Sequence, residues 1–223
     1  MTILKINDFS SRAAILAIGM SIAVLVLLFA LHILSPEFNP AWRMVSEYAK
    51  GKYAWVLSLM FFFWGAGSWA LAYTLWPQMQ NTAGKIGLFF LIAAGIGEAM
   101  ASVFDINHRL HGLSAMIGIP SLSIAAMLIS IALVRTEPWS IARSSLLWTA
   151  NLTWVSILLL GITFAIMIAT YAQAGGDTSA NAELVTTLPE GVIALVGWAN
   201  RFLIVVYCSW VMTVAWLAMK LSR

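Results

Sequence analysis

Long apolar runs broken by short polar loops set the pattern of this chain. A spanning helix needs about 20 apolar residues to cross roughly 30 Å of hydrocarbon. Six stretches meet that length: Ala13–Leu34, Tyr53–Leu75, Ile86–Phe104, Gly112–Leu133, Ser144–Tyr171 and about Phe202–Met219. The pattern predicts an all-α polytopic membrane protein, a bundle of six transmembrane helices. Trp42, Trp55, Trp76, Trp139, Trp148 and Trp198 fall near the ends of these runs, as an interfacial aromatic belt would. The first run is longer than a signal-peptide core and lacks a convincing small-residue cleavage pattern, so it reads as a retained helix. No repeat or long linker interrupts the chain, and residues 1–223 read as a single domain.

The loop after the first helix reads SPEFNPAWRMVSEYAKGK. Asn39 suits an N-cap, Pro40 the first helical position and Gly51 the C-terminal stop. Between them, Trp42, Val45 and Ala49 share one face, and Arg43 and Glu47 form an i,i+4 pair. This predicts a short interfacial helix. It is either a structured connector or presents Ser46, Glu47 and Tyr48 to a ligand. At the other end, a continuous helix from Pro189 to Lys220 would be about 48 Å long. Pro189–Ala199 is therefore expected to project, bend near Gly197 or lie at the interface. Pro120 should kink the fourth helix, with Ser121 or Ser123 supporting the freed backbone.

Composition sharpens the class. Only 9% of residues are charged and 61% are hydrophobic, too little polar surface for a water-facing skin. The partner is the lipid bilayer. A formal charge of +3, spread along the chain, argues against a nucleic-acid partner. Cys208 is the single cysteine, which excludes an intrachain disulfide. Lys5, Arg12, Lys85, Arg135, Arg143, Lys220 and Arg223 lie on one side, against Arg43, Lys50, Lys52, Arg109 and Arg201 on the other. This asymmetry favours both termini in the cytoplasm of a cell (inner) membrane. Helix parity puts the 1–2, 3–4 and 5–6 loops on one face, with nearly all the candidate chemistry.

Glu98 stands out. A carboxyl inside a span should face a partner or a wet cavity. It is either a structural pair with Arg109 or Arg201, or a functional group. Ala93, Gly97 and Ala101 form a small-residue stripe that lets another helix approach closely. Asp105, His108 and His111 are spaced by threes, so they can supply three zinc ligands. Alternatively, Asp105 can cap the fourth helix while the histidines lie at headgroup level, or the set can make acid–base or ligand contacts. His32, near the end of the first helix, reads as an interfacial residue or a ligand. Arg201 can snorkel to headgroup phosphate or bind a carboxylate or phosphate bidentately. No phosphate-binding glycine loop, nucleophile elbow or H-E-x-x-H motif is present.

PEFNPAWRMVSEYAKG after the first helix, FDINHRLHG before the fourth and ANRF opening the sixth resemble a bacterial membrane family, domain of unknown function 998. The resemblance spans about Ala13 to Met219. It implies a six-helix membrane protein without implying a substrate, and it draws attention to Asn39, Pro40, Ser46, Glu47, Tyr48, Asp105, His111 and Arg201. Three functions compete at this stage. One is binding or moving a lipid headgroup or small anion through the polar cluster of Asn39, Ser46, Glu47, Tyr48, Glu98, Asp105, His111 and Arg201. The others are a structural or assembly role, and a membrane-embedded hydrolase holding zinc at Asp105, His108 and His111. Whether the protein is an enzyme, and its oligomeric state, stay open.

Overall fold

In the computed structural model, which describes residues 8–177, 185 and 187–221, the described residues form six long helices. These are α1 (Asp8–Leu34), α2 (Ala54–Leu75), α3 (Thr82–Val103), α4 (His111–Leu133), α5 (Arg143–Gln173) and α6 (Val196–Leu221). Short 3-10 turns lie at Val45–Lys50, Trp76–Gln78 and Trp139–Ala142. All six long helices, α2 and α5 extended by adjoining 3-10 turns, are long and apolar enough to cross a membrane, and the chain is a multi-pass membrane protein. Large apolar side chains such as Phe9, Phe29, Trp55, Phe89, Met116 and Leu158 face outward along them. In lipid such a surface needs no polar cover, and each helix satisfies its own backbone.

Neighbours in sequence pack as neighbours in space, and α6 also packs against α1, closing the ring. α6 additionally touches α2, and Ser123 and Ser130 of α4 bond Tyr207 and Trp210 of α6. Sixteen residues of α6 are buried against four of the longer α5. The last helix is therefore the core of the bundle, and the fifth turns most of its surface to lipid.

Several boundaries differ from the hydropathy reading. α1 begins at Asp8, and α6 begins at Val196, upstream of Phe202. Gly197 does not bend the helix; it is a contact point in the first turn. Its N–H donates to Ala41 O at 2.9 Å, and a Cβ there would collide with Pro40 O and lie 2.8 Å from Arg43 O. The interfacial helix is a 3-10 turn that starts at Val45, and Asn39 is not its cap. Asn39 Oδ1 accepts from Ala41 N at 2.9 Å, while Glu47 Oε1 accepts from Met44 N at 3.0 Å. Val45 and Tyr48 are buried against the bundle, while Ser46, Glu47, Ala49 and Lys50 stay partly exposed. Gly51 does end it, donating to Tyr48 O.

Trp55, Trp76, Trp148 and Trp198 are exposed near helix ends, but Trp139 is buried. The carbonyl that Pro120 leaves without its helical donor is that of Met116, and neither Ser121 nor Ser123 bonds it among the described residues. Tyr207 Oη donates to Ile119 O at 2.7 Å, which uses its one hydrogen, so Ser123 Oγ is the donor in the 2.9 Å Ser123–Tyr207 bond. Lys5 and Arg223, used in the charge count, lie outside the described residues.

Candidate functional site

The 1–2 loop meets the start of α6 at one end of the bundle. Arg43 bridges Glu47 at 2.6 Å and donates to Val185 O of the 5–6 segment. Asn200 at the start of α6 accepts from Val45 N at 2.8 Å. These bonds pin the 1–2 loop as a lid over the open end of the helices.

Beneath the lid lies a cavity of about 110 Å³. Its wall takes Met44, Val45 and Ser46 from the lid, Phe61 and Trp64 from α2, and Glu98 from α3. His111 and Ser114 of α4 and Asn200 and Tyr207 of α6 complete its polar part. Glu98 is 6% exposed, and Ser68 Oγ of α2 donates to its Oε2 at 2.7 Å. No cation among the described residues pairs with it. Neither Arg109 nor Arg201 is its counter-ion.

Arg201 instead forms a buried clasp. Its Nε donates to His32 Nε2 at 2.7 Å, Nη1 to the carbonyls of Arg43 at 2.8 Å and Gly197 at 2.9 Å, and Nη2 to Tyr48 Oη at 3.1 Å. His32 Nδ1 donates in turn to Leu28 O at 2.7 Å. A carbonyl can only accept, so the ring carries its proton on Nδ1 and receives Arg201 on Nε2. The clasp joins α1, the lid and α6 through neutral partners. Arg201, His32, Glu47, Tyr48 and Asn39 do not line the cavity.

The Asp-His-His set separates. Asp105 is exposed and its Oδ1 accepts from Asn107 N at 2.9 Å, capping a turn and not α4, which has no side-chain cap. His108 is exposed, stacks on Phe104 at 4.6 Å and accepts from Leu110 N. Only His111 turns inward, donating from Nδ1 to Phe104 O at 2.9 Å and leaving Nε2 beside the cavity. Among the described residues no three His, Cys, Asp or Glu side chains form a group able to hold a metal ion. The zinc set of the sequence does not fit this geometry.

The helix stripe behaves as its composition implies. A Cβ on Gly97 would lie 2.6 Å from Gly118 Cα and 2.7 Å from Ser114 O, so α3 and α4 meet backbone to backbone. That contact sets Glu98 and His111 on facing helices of one cavity. Ser68, Trp64, Ser114 and Tyr207 are among the site residues that the sequence did not flag. A serine or an aromatic in an apolar run carries no signal of its own.

No curated protein and no solved structure matches the chain. Residues 17–217 match the model of a family described as a protein of unknown function, DUF998. With nearly its whole length covered, from within the first span to near the end of the last, this chain belongs to the DUF998 family.

Proposed function

We propose that this membrane protein binds or moves a lipid headgroup or small polar ligand through the cavity at Glu98. The single observation that carries the reading is a buried carboxyl on a cavity wall with one neutral bond from Ser68 and no cationic partner among the described residues. Polar groups inside a membrane protein cost free energy unless something meets them. The reading keeps the headgroup and drops the small anion, because Arg201 lies off the cavity wall in the clasp. Arg201 itself takes the structural role.

Orientation belongs to the same proposal: termini in the cytoplasm of the cell (inner) membrane, cavity at the non-cytoplasmic face. Topology reporters fused at Gly175 and after Lys220 should report opposite sides, with Gly175 outside. Both on one side would defeat six spans, and the reverse assignment would place the cavity toward the cytoplasm.

The binding reading is tested by native mass spectrometry of the purified protein. The wild type should retain a lipid or small-molecule adduct, and Ala115→Trp, which puts an indole into the cavity, should lose it while remaining folded. An adduct kept at wild-type occupancy in that variant would move binding away from this cavity.

A further inference from the structure

We propose that the Glu98 cavity recognises a small organic ammonium group with an oxygen close by, the chemistry of an amino-alcohol headgroup. This rests on the cavity being a ligand site.

Three features of its wall converge. The first is charge. Glu98, His111 and Tyr207 are its ionisable members, no Lys or Arg lines it, and Oε1 of Glu98 takes no partner among the described residues. An anion would meet a carboxyl, whereas an ammonium supplies the cation that the carboxyl lacks. The second is the aromatic surface. Phe61 stacks on Trp64 with ring centroids 6.1 Å apart and 3° between planes, and Trp64 meets Tyr207 edge-on at 6.1 Å and 72°. Ring faces attract organic cations, most strongly where water is excluded.

The third is the pair of unused donors. Trp64 Nε1 is buried without a hydrogen-bond partner, and the side-chain nitrogen of Asn200 has none among the described residues, its oxygen being held by Val45 N. An unpaired buried donor is unusual and calls for an acceptor. A ligand oxygen next to the ammonium answers both donors while the cation answers Glu98. A hydrocarbon ligand leaves all three groups unmet. A cavity of about 110 Å³ holds a few waters, which suits a headgroup and not an acyl chain.

The source of that chemistry is either a lipid headgroup or a free amine. The test uses the purified full-length protein with ethanolamine, its uncharged analogue ethylene glycol and the anion glycolate as free probes. Parallel samples in nanodiscs of phosphatidylethanolamine or phosphatidylglycerol are read by native mass spectrometry. Ethanolamine, or phosphatidylethanolamine in preference to phosphatidylglycerol, should bind. Glu98→Gln should weaken binding about tenfold or more by leaving the cation unpaired, and Trp64→Phe, which keeps the ring and loses the N–H, should weaken it less. Binding of free ethanolamine identifies an amine ligand, and binding of the phospholipid alone identifies a lipid.

Equal binding of glycolate or ethylene glycol, or full ethanolamine affinity in a folded Glu98→Gln protein, would overturn the ammonium assignment and leave the cavity reading intact. If every probe fails and the adduct of the purified protein also survives Ala115→Trp, both fall together.

Discussion

Gly97→Ala is expected to unfold this protein several degrees below Gly118→Ala, which adds one methyl group on the facing helix. The added Cβ at Gly97 would lie 2.6 Å from Gly118 Cα and 2.7 Å from Ser114 O. Both are backbone atoms of α4, so no rotamer change relieves the clash and the helices must separate. At Gly118 the nearest atom to a new Cβ is 3.6 Å away, an ordinary contact. Overpacking costs about 1–3 kcal/mol, occasionally more. The gain from replacing a helical glycine is about 1 kcal/mol and is common to both variants, so it cancels in the comparison. A net loss near the upper end lowers Tm by about 5–10 °C in a chain of this size. Cys208 is the single cysteine and is buried, so its reactivity toward a thiol dye during heating reports the transition directly. Equal midpoints for the two variants would refute backbone contact at Gly97. The same separation would widen the cavity between Glu98 and His111, so Gly97→Ala should also lower adduct occupancy.

The six spans were legible because lipid as solvent imposes one strong rule, a run of apolar residues of bilayer length. Where that rule is silent, the reading slipped. Helix α6 begins upstream of its apolar run because Gly197 and Asn200 are bound to the lid, and tertiary bonds replace hydropathy as the reason for helix there. The lid shows the same override. Asn39 and Pro40 form a sound helix-start signal, yet the carbonyls of Ala41 and Arg43 are taken by donors of α6, and a helix over residues 40–44 would have turned them inward on itself. The start moves to Met44, where Glu47 provides the cap.

At the site, Glu98 was legible because a carboxyl in an apolar run must be met by something. Ser68 was not, since its meaning depends on which face of α2 lies against α3. The guess that Arg201 would meet Glu98 rested on opposite charge alone. Geometry gives Arg201 a different set of acceptors, assembled from α1, the lid and its own helix.

That set makes Arg201 the residue whose loss should cost most. Four acceptors converge on it: His32 Nε2, Tyr48 Oη and the carbonyls of Arg43 and Gly197. Arg201 is 5% exposed and Tyr48 is fully buried, so water cannot readily replace the guanidinium. Each buried group left unpaired costs about 1–3 kcal/mol. Arg201→Met should therefore lower Tm by about 10 °C or more. Arg201→Lys should recover little, because a compact ammonium has three donors on one atom and cannot span acceptors placed around a planar fork. The lid should loosen in both variants, and trypsin should cut at Lys50 and Lys52 faster than in the wild type. Tyr48→Phe removes only one acceptor, the longest bond at 3.1 Å, and should show a smaller shift in the same direction. A ligand-binding arginine would behave differently: Arg201→Met would keep the wild-type midpoint and lid protection while losing the retained adduct. That result would return Arg201 to the binding site and dissolve the distinction between clasp and cavity.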